Sequence, residues 1–151
     1  MAHNPVNHPL RPVYRAIAGL TGLYLLVFGI MGAILTAADG LFGRNTERVF
    51  GQQTNLAWSV LSAVAGLVVL AALALGRNLD VAVDTYLGWS LLAVGVAMMA
   101  LMRTDANLFN FSMSTVLVTF GAGLLLITAG LYSKTVAPEL AGASRPERQR
   151  A

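Results

Sequence analysis

Arg103-Thr104-Asp105-Ala106-Asn107-Leu108-Phe109-Asn110-Phe111-Ser112 is a short polar stretch between two long apolar runs, and it carries charges of both signs. The runs cover residues 81–102 and 111–132. Each is long enough to cross a membrane as a helix, because about 20 residues rising 1.5 Å each traverse a hydrocarbon core of about 30 Å. The stretch therefore reads as a hairpin between two antiparallel spans. Two readings of its polar groups stand. In one, Arg103 caps the C-terminal dipole of its helix and pairs with Asp105, while Asn107 or Asn110 turns the chain. In the other, Arg103, Asp105 and Asn107 form an outward surface that recognises a partner protein or a lipid headgroup.

Composition agrees with a membrane protein. Of 151 residues, 56% are hydrophobic and 11% charged, against about 25% charged in soluble domains; the mean hydropathy is +0.67. The net charge is only +3. No basic run is interleaved with aromatics in a polar setting, which argues against a nucleic-acid partner. The chain has no cysteine, so disulfides, thiol redox chemistry and Cys-ligated metal or Fe–S centres are excluded. The only histidines are His3 and His8. They precede every apolar run, so bis-His haem ligation within the spans is excluded, and they lack a third metal ligand. No cofactor is expected.

Working towards the N-terminus, residues 55–75 form a second span, with Asn55 as N-cap and Gly76 as the closing glycine. The short link 76–80 makes this span and the next antiparallel neighbours, with Asp80 expected as the N-cap of the latter. Residues 13–37 form the first span, entered through Pro12, which suits a first helical turn, and anchored by Arg11 and Arg15. Thr36-Ala37-Ala38 resembles a cleavage site, but the apolar run before it exceeds the about 7–15 residues of a signal peptide. The loop 38–54 is expected to lie on the membrane surface with a short interfacial turn near 46–50. Residues 1–12 read as a polar tail and 135–151 as a disordered one. The membrane domain then spans 13–134.

Four spans bring both termini to one side. Arg11, Arg15, Arg77, Lys134, Arg145, Arg148 and Arg150 lie there, against Arg44, Arg48 and Arg103 opposite. The positive-inside rule places the termini in the cytoplasm. The expected fold is an all-α integral membrane four-helix bundle with up-down neighbours, both ends inside. Small residues recur seven apart: Gly22 and Gly29, Ser59 and Gly66, Gly88 and Gly95, Gly123 and Gly130. Seven residues return within about 20° on a helix. Such stripes let backbones approach closely, which drives packing where lipid supplies no hydrophobic force.

The middle of every span lacks Asp, Glu, Lys, Arg and His, so the charged groups that mark transport paths are missing there. Asp84 is the nearest carboxyl. It lies one turn after Asp80, where negative charge suits a helix N-terminus. Tyr24 is the deepest polar aromatic, and its hydroxyl needs a partner; Thr119, at similar depth, is the candidate, with a quinone or lipid contact as the other reading. Ser59, Ser62, Ser90, Ser114, Thr115 and Thr119 have no base nearby in sequence to activate them.

Val6-Asn7-His8-Pro9-Leu10-Arg11-Pro12-x-Tyr14-Arg15, the run Ala18-Gly19-Leu20-x-Gly22-Leu23-Tyr24-Leu25-Leu26-Val27-Phe28-Gly29, Asn78-Leu79-Asp80, and Arg103-Thr104-Asp105-Ala106-Asn107 together resemble an actinobacterial family of four-span membrane proteins catalogued as domain of unknown function 4383. The resemblance covers about residues 6–134. It implies a four-helix protein of the plasma membrane with no assigned activity and no catalytic residues to carry over. The expected function is a non-enzymatic structural or accessory bundle in contact with lipid, forming a homo-oligomer or joining a partner membrane protein. The alternative is a small oligomeric transporter or channel for an uncharged or lipid-like solute.

Overall fold

The computed structural model describes residues 6–137. Four helices dominate: α1 (Arg11–Thr36), α2 (Leu56–Leu75), α3 (Leu79–Leu101) and α4 (Met113–Tyr132). Their 26, 20, 23 and 20 residues correspond to about 30–39 Å each at 1.5 Å per residue. All four are long and apolar enough to cross a membrane.

Local chemistry sets the helix ends. Pro12 sits in the first turn of α1. The Asn55 side chain accepts from the Trp58 N–H at 3.0 Å and opens α2. Gly76, at φ +63°, closes it, its N–H returning to Ala72 C=O. α3 starts two residues earlier than Asp80 would have it as a cap: Asn78 holds the N-cap position at φ +62°, and Asp80 falls inside the first turn, fully buried. α4 starts at Met113 because Ser112 and Thr115 form a reciprocal capping box. Phe111 stays outside the helix and packs edge-on to Trp58 at 4.7 Å.

The helices associate as two close pairs. In α1 and α2, Gly22 abuts Val69 and the Gly66 carbonyl, Gly29 abuts Ser59 and Ala63, and Gly32 abuts Ser59. In α3 and α4, Gly88 abuts Gly123 and Ile127, Gly95 faces the Phe120 ring, and Gly130 abuts Val81 and Thr85. Ascending positions on one helix meet descending positions on its partner. Most of these approaches leave no room for a Cβ, so glycine is required by contact and not by backbone angle. Phe28, Val69, Leu91, Met98, Val116 and Leu126 belong to the buried core. Leu20, Ile34, Val64, Leu75, Val96 and Leu124 face outward, giving the bundle an apolar exterior.

Loop 37–55 differs from the expected surface turn. A 3₁₀ turn at Ala37–Asp39 leads to a small antiparallel hairpin of β1 (Arg48–Val49) and β2 (Gln52–Gln53). Phe50 and Gly51, at φ +50° and +79°, supply the two consecutive left-handed residues that a two-residue hairpin turn demands. Val49 and Gln52 are buried, so the hairpin folds down onto the helix ends as a lid. Asn55 ties this lid to the second loop, donating to Leu108 C=O at 2.7 Å. Asn55→Ala removes both the cap and this bridge, and a loss of about 2 kcal/mol is expected in denaturant unfolding. Asn55→Ser keeps a cap acceptor and recovers about half of that.

Candidate functional site

At the hairpin end, the two loops form one surface. Asn110 donates to Asn45 C=O and Thr54 C=O, each at 3.0 Å. Ser114 donates to Gly51 C=O at 2.8 Å and Thr115 to Gln53 C=O at 2.7 Å. The expected pairing of Arg103 with Asp105 is corrected. Asp105 pairs with Arg44 of the other loop at 3.3 Å, and Arg44 also donates to the Asp105 carbonyl. The cause is local: Thr104 donates to Leu101 C=O and accepts from Ala106 N–H, so the turn carries Asp105 away from Arg103. The half-buried Asn107 side chain bonds within its own turn. It donates to Met102 C=O and Phe111 C=O and accepts from Phe111 N–H, closing the turn. Of the three, Arg103 alone is exposed without an ion pair among the described residues. Because Arg44 and Asp105 stand in water, breaking their pair by Asp105→Asn is expected to leave the melting temperature unchanged in a thermal scan.

Tyr24 also finds a different partner. Its hydroxyl accepts from the Gln52 side chain of the hairpin, whereas Thr119 turns back on its own helix and donates to Thr115 C=O at 2.7 Å. A hydroxyl in a helix satisfies itself on the preceding turn at little cost, which leaves Tyr24 to the lid.

The opposite end holds a second polar cluster, to which α1, α2, α3 and the residue that follows α4 contribute. Arg15 of α1 pairs with Asp80 of α3 and donates to Leu73 C=O of α2 at 2.6 Å. Arg11 lies 3.9 Å from Asp80 and donates to Ser133 C=O, just after α4, at 2.9 Å. Asp80 and Asp84 are 0% and 1% exposed. Asp80 Oδ1, both Asp84 carboxylate oxygens and the Ser133 hydroxyl have no hydrogen-bond partner. Asp84, which its position marks only as a helix-start carboxyl, is thus buried. Its side chain falls on the face of α3 that also carries Asp80, Gly88 and Leu91, and that face is turned inward. The sequence held a signal for this cluster. Arg11 and Arg15 are four apart, as are Asp80 and Asp84, so each pair shares one helix face.

The chain ends join this cluster. Residues 6–12 are not a free tail: Asn7 N–H donates to Lys134 C=O at 2.9 Å, and the Asn7 side chain bridges to the Val136 backbone. His8 lies edge-on to Tyr14 and Tyr132, which stack on each other at 4.9 Å. Thr135 is held by the Asn78 side chain through its N–H and hydroxyl. The segment expected to be disordered from residue 135 is therefore ordered at least to 137; its remainder lies outside the described residues.

Two apolar grooves flank the core. One, of about 360 Å³, lies between α1 and α4 and is lined by Leu20, Tyr24, Gly121 and Leu125 among others. The other, of about 160 Å³, lies between α2 and α3 and includes Trp58, Ser62 and Ser90. Neither is lined by all of Tyr24, Ser62, Ser90 and Thr119, the hydroxyls that a single polar lumen would gather. Among the described residues no group of three or more His, Asp or Glu side chains is placed to hold a metal ion. Compared with family models, curated proteins and solved structures, the chain matches none.

Proposed function

We propose that the protein is an integral membrane bundle of four up-down spans with both ends in the cytoplasm of a bacterial cell, serving as a non-enzymatic structural or accessory subunit. The observation that carries this reading is how side chains divide. Apolar residues of all four helices face outward, and polar groups are drawn to the two ends, where they bond mainly to one another and to backbone. Glycine contacts supply the close packing that lipid alone does not drive. Membership of the actinobacterial family that the sequence resembles is part of the same proposal.

The partner face is the lid end, around exposed Arg103, Leu41, Phe42 and Leu108. A photocrosslinking side chain at position 103, activated in native membranes, is expected to capture one stoichiometric partner or a second copy of this chain. Recovery of uncrosslinked monomer alone, also after mild extraction, contradicts the reading. A second reading rests on the groove between α1 and α4, whose apolar lining suits a lipid-like solute. Uptake of such a solute by proteoliposomes, lost on narrowing the groove with Gly121→Leu, favours transport over an accessory role.

A further inference from the structure

We infer that Asp84 is a proton-exchanging site coupled to the ion pair between Arg15 and Asp80. Three observations carry it. Asp84 is 1% exposed, yet neither of its oxygens meets a hydrogen-bond donor. A buried polar group in that condition calls for an unseen partner or a protonation change, since burial without hydrogen bonds is costly. Asp84 also lies four residues, about 6 Å of helix rise, from Asp80 on the same buried face. Finally, the titratable and charged groups of this end of the bundle are few. From α1 come Arg11, Arg15 and Tyr14; from α2, the Leu73 carbonyl that Arg15 engages; from the end of α4, Tyr132, with the Ser133 hydroxyl just after it; from the N-terminal segment, His8 packed on the tyrosines. Arg77 and Lys134 are exposed.

Two guanidiniums thus share this end with two carboxyls, and Asp80 holds Arg15. With a proton on Asp84, the Arg15–Asp80 pair stands as it is. When Asp84 releases that proton to water beside partly exposed Arg11, the new carboxylate competes for Arg15 from one turn further along α3. The Arg15 side chain then has two anions to choose between, and its grip on Leu73 C=O of α2 follows the choice. Neither apolar groove reaches Asp84, and a proton is the one cation that needs no cavity.

The test is an infrared pH titration of the full chain in lipid nanodiscs of phosphatidylethanolamine and phosphatidylglycerol, with isotope-labelled aspartate. The expected result is a protonated-carboxyl band that changes with pH, is lost in Asp84→Asn, and titrates with a displaced midpoint in Asp80→Asn. Should Asp84→Asn fail to fold, Asp84→Glu is expected to replace the labelled band by an unlabelled one. A wild-type spectrum with no pH-dependent aspartate band, or a band that survives removal of Asp84, overturns the site. An unchanged midpoint in Asp80→Asn overturns its coupling to the ion pair.

Discussion

Replacing Arg15 by alanine is expected to destabilise the bundle by about 3 kcal/mol, the lower end of the about 3–5 kcal/mol for breaking a buried ion pair. Asp80 is 0% exposed and already has one oxygen without a partner. Removing Arg15 takes the donor from its other oxygen and leaves Arg11 at 3.9 Å as the nearest cation. The loss falls at the lower end because the Arg15 side chain is 25% exposed, so water already weakens the pair. The contrast with a paired replacement is the sharper part. Arg15→Met with Asp80→Leu removes both charges and is expected to recover most of the loss, since the cost lies in the abandoned charge. Arg15→Lys is expected to fall between, because a single ammonium cannot fork between Asp80 and the Leu73 carbonyl as a guanidinium does. Denaturant titration in mixed micelles measures all three.

The second large effect is at Gly29. A Cβ there would stand 2.3 Å from the Ala63 nitrogen, 2.5 Å from the Ser59 carbonyl oxygen and 2.7 Å from the Ala63 Cα, all backbone atoms. No rotamer change relieves such a clash; α1 and α2 must separate. Gly29→Leu is expected to cost at least about 3 kcal/mol, the upper end for overpacking, or to prevent stable folding. Gly29→Ala decides the sign of the argument. Alanine gains up to about 1 kcal/mol of helix propensity over glycine, so a net loss on mutation shows that the contact outweighs propensity. Gly121 is the control. A Cβ there meets nothing, so Gly121→Ala is expected to be neutral or stabilising in the same titration.

These two sites differ in how far the sequence exposed them. The spacing of Gly22 from Gly29, or of Gly88 from Gly95, is readable as one face of one helix, because helical periodicity is a local property. Which helix each face meets is set by the whole bundle. That α1 closes on α2 and α3 on α4 emerges only from their contacts. The same limit governs the polar groups. Tyr24 visibly needs a partner, but Gln52 supplies it from a hairpin whose course depends on left-handed Phe50, a backbone state that its side chain does not announce. Asp105 looks paired with Arg103 by proximity in sequence, and a four-residue turn sends it to Arg44 instead. Asp84 is legible in the sequence only as a carboxyl near a helix start. Negative charge near a helix start is stabilised by the dipole wherever it points, and nothing local says that this one points inward. What points to it is non-local: two arginines at the same spacing on another helix.

The proposed function requires four membrane crossings with the Arg15–Asp80 end inside the cell and the hairpin lid outside. The absence of native cysteine makes this directly measurable by single-cysteine labelling in intact cells. Cysteines in place of Arg44 and Arg103 are expected to react with a membrane-impermeant thiol reagent from outside. Cysteines in place of Arg77 and Lys134 are expected to react only after permeabilisation, and one in place of Leu67, midway along α2, in neither case. Labelling of position 77 from outside, or of 44 and 103 only after permeabilisation, contradicts the proposed orientation; aqueous labelling of position 67 contradicts the membrane bundle itself.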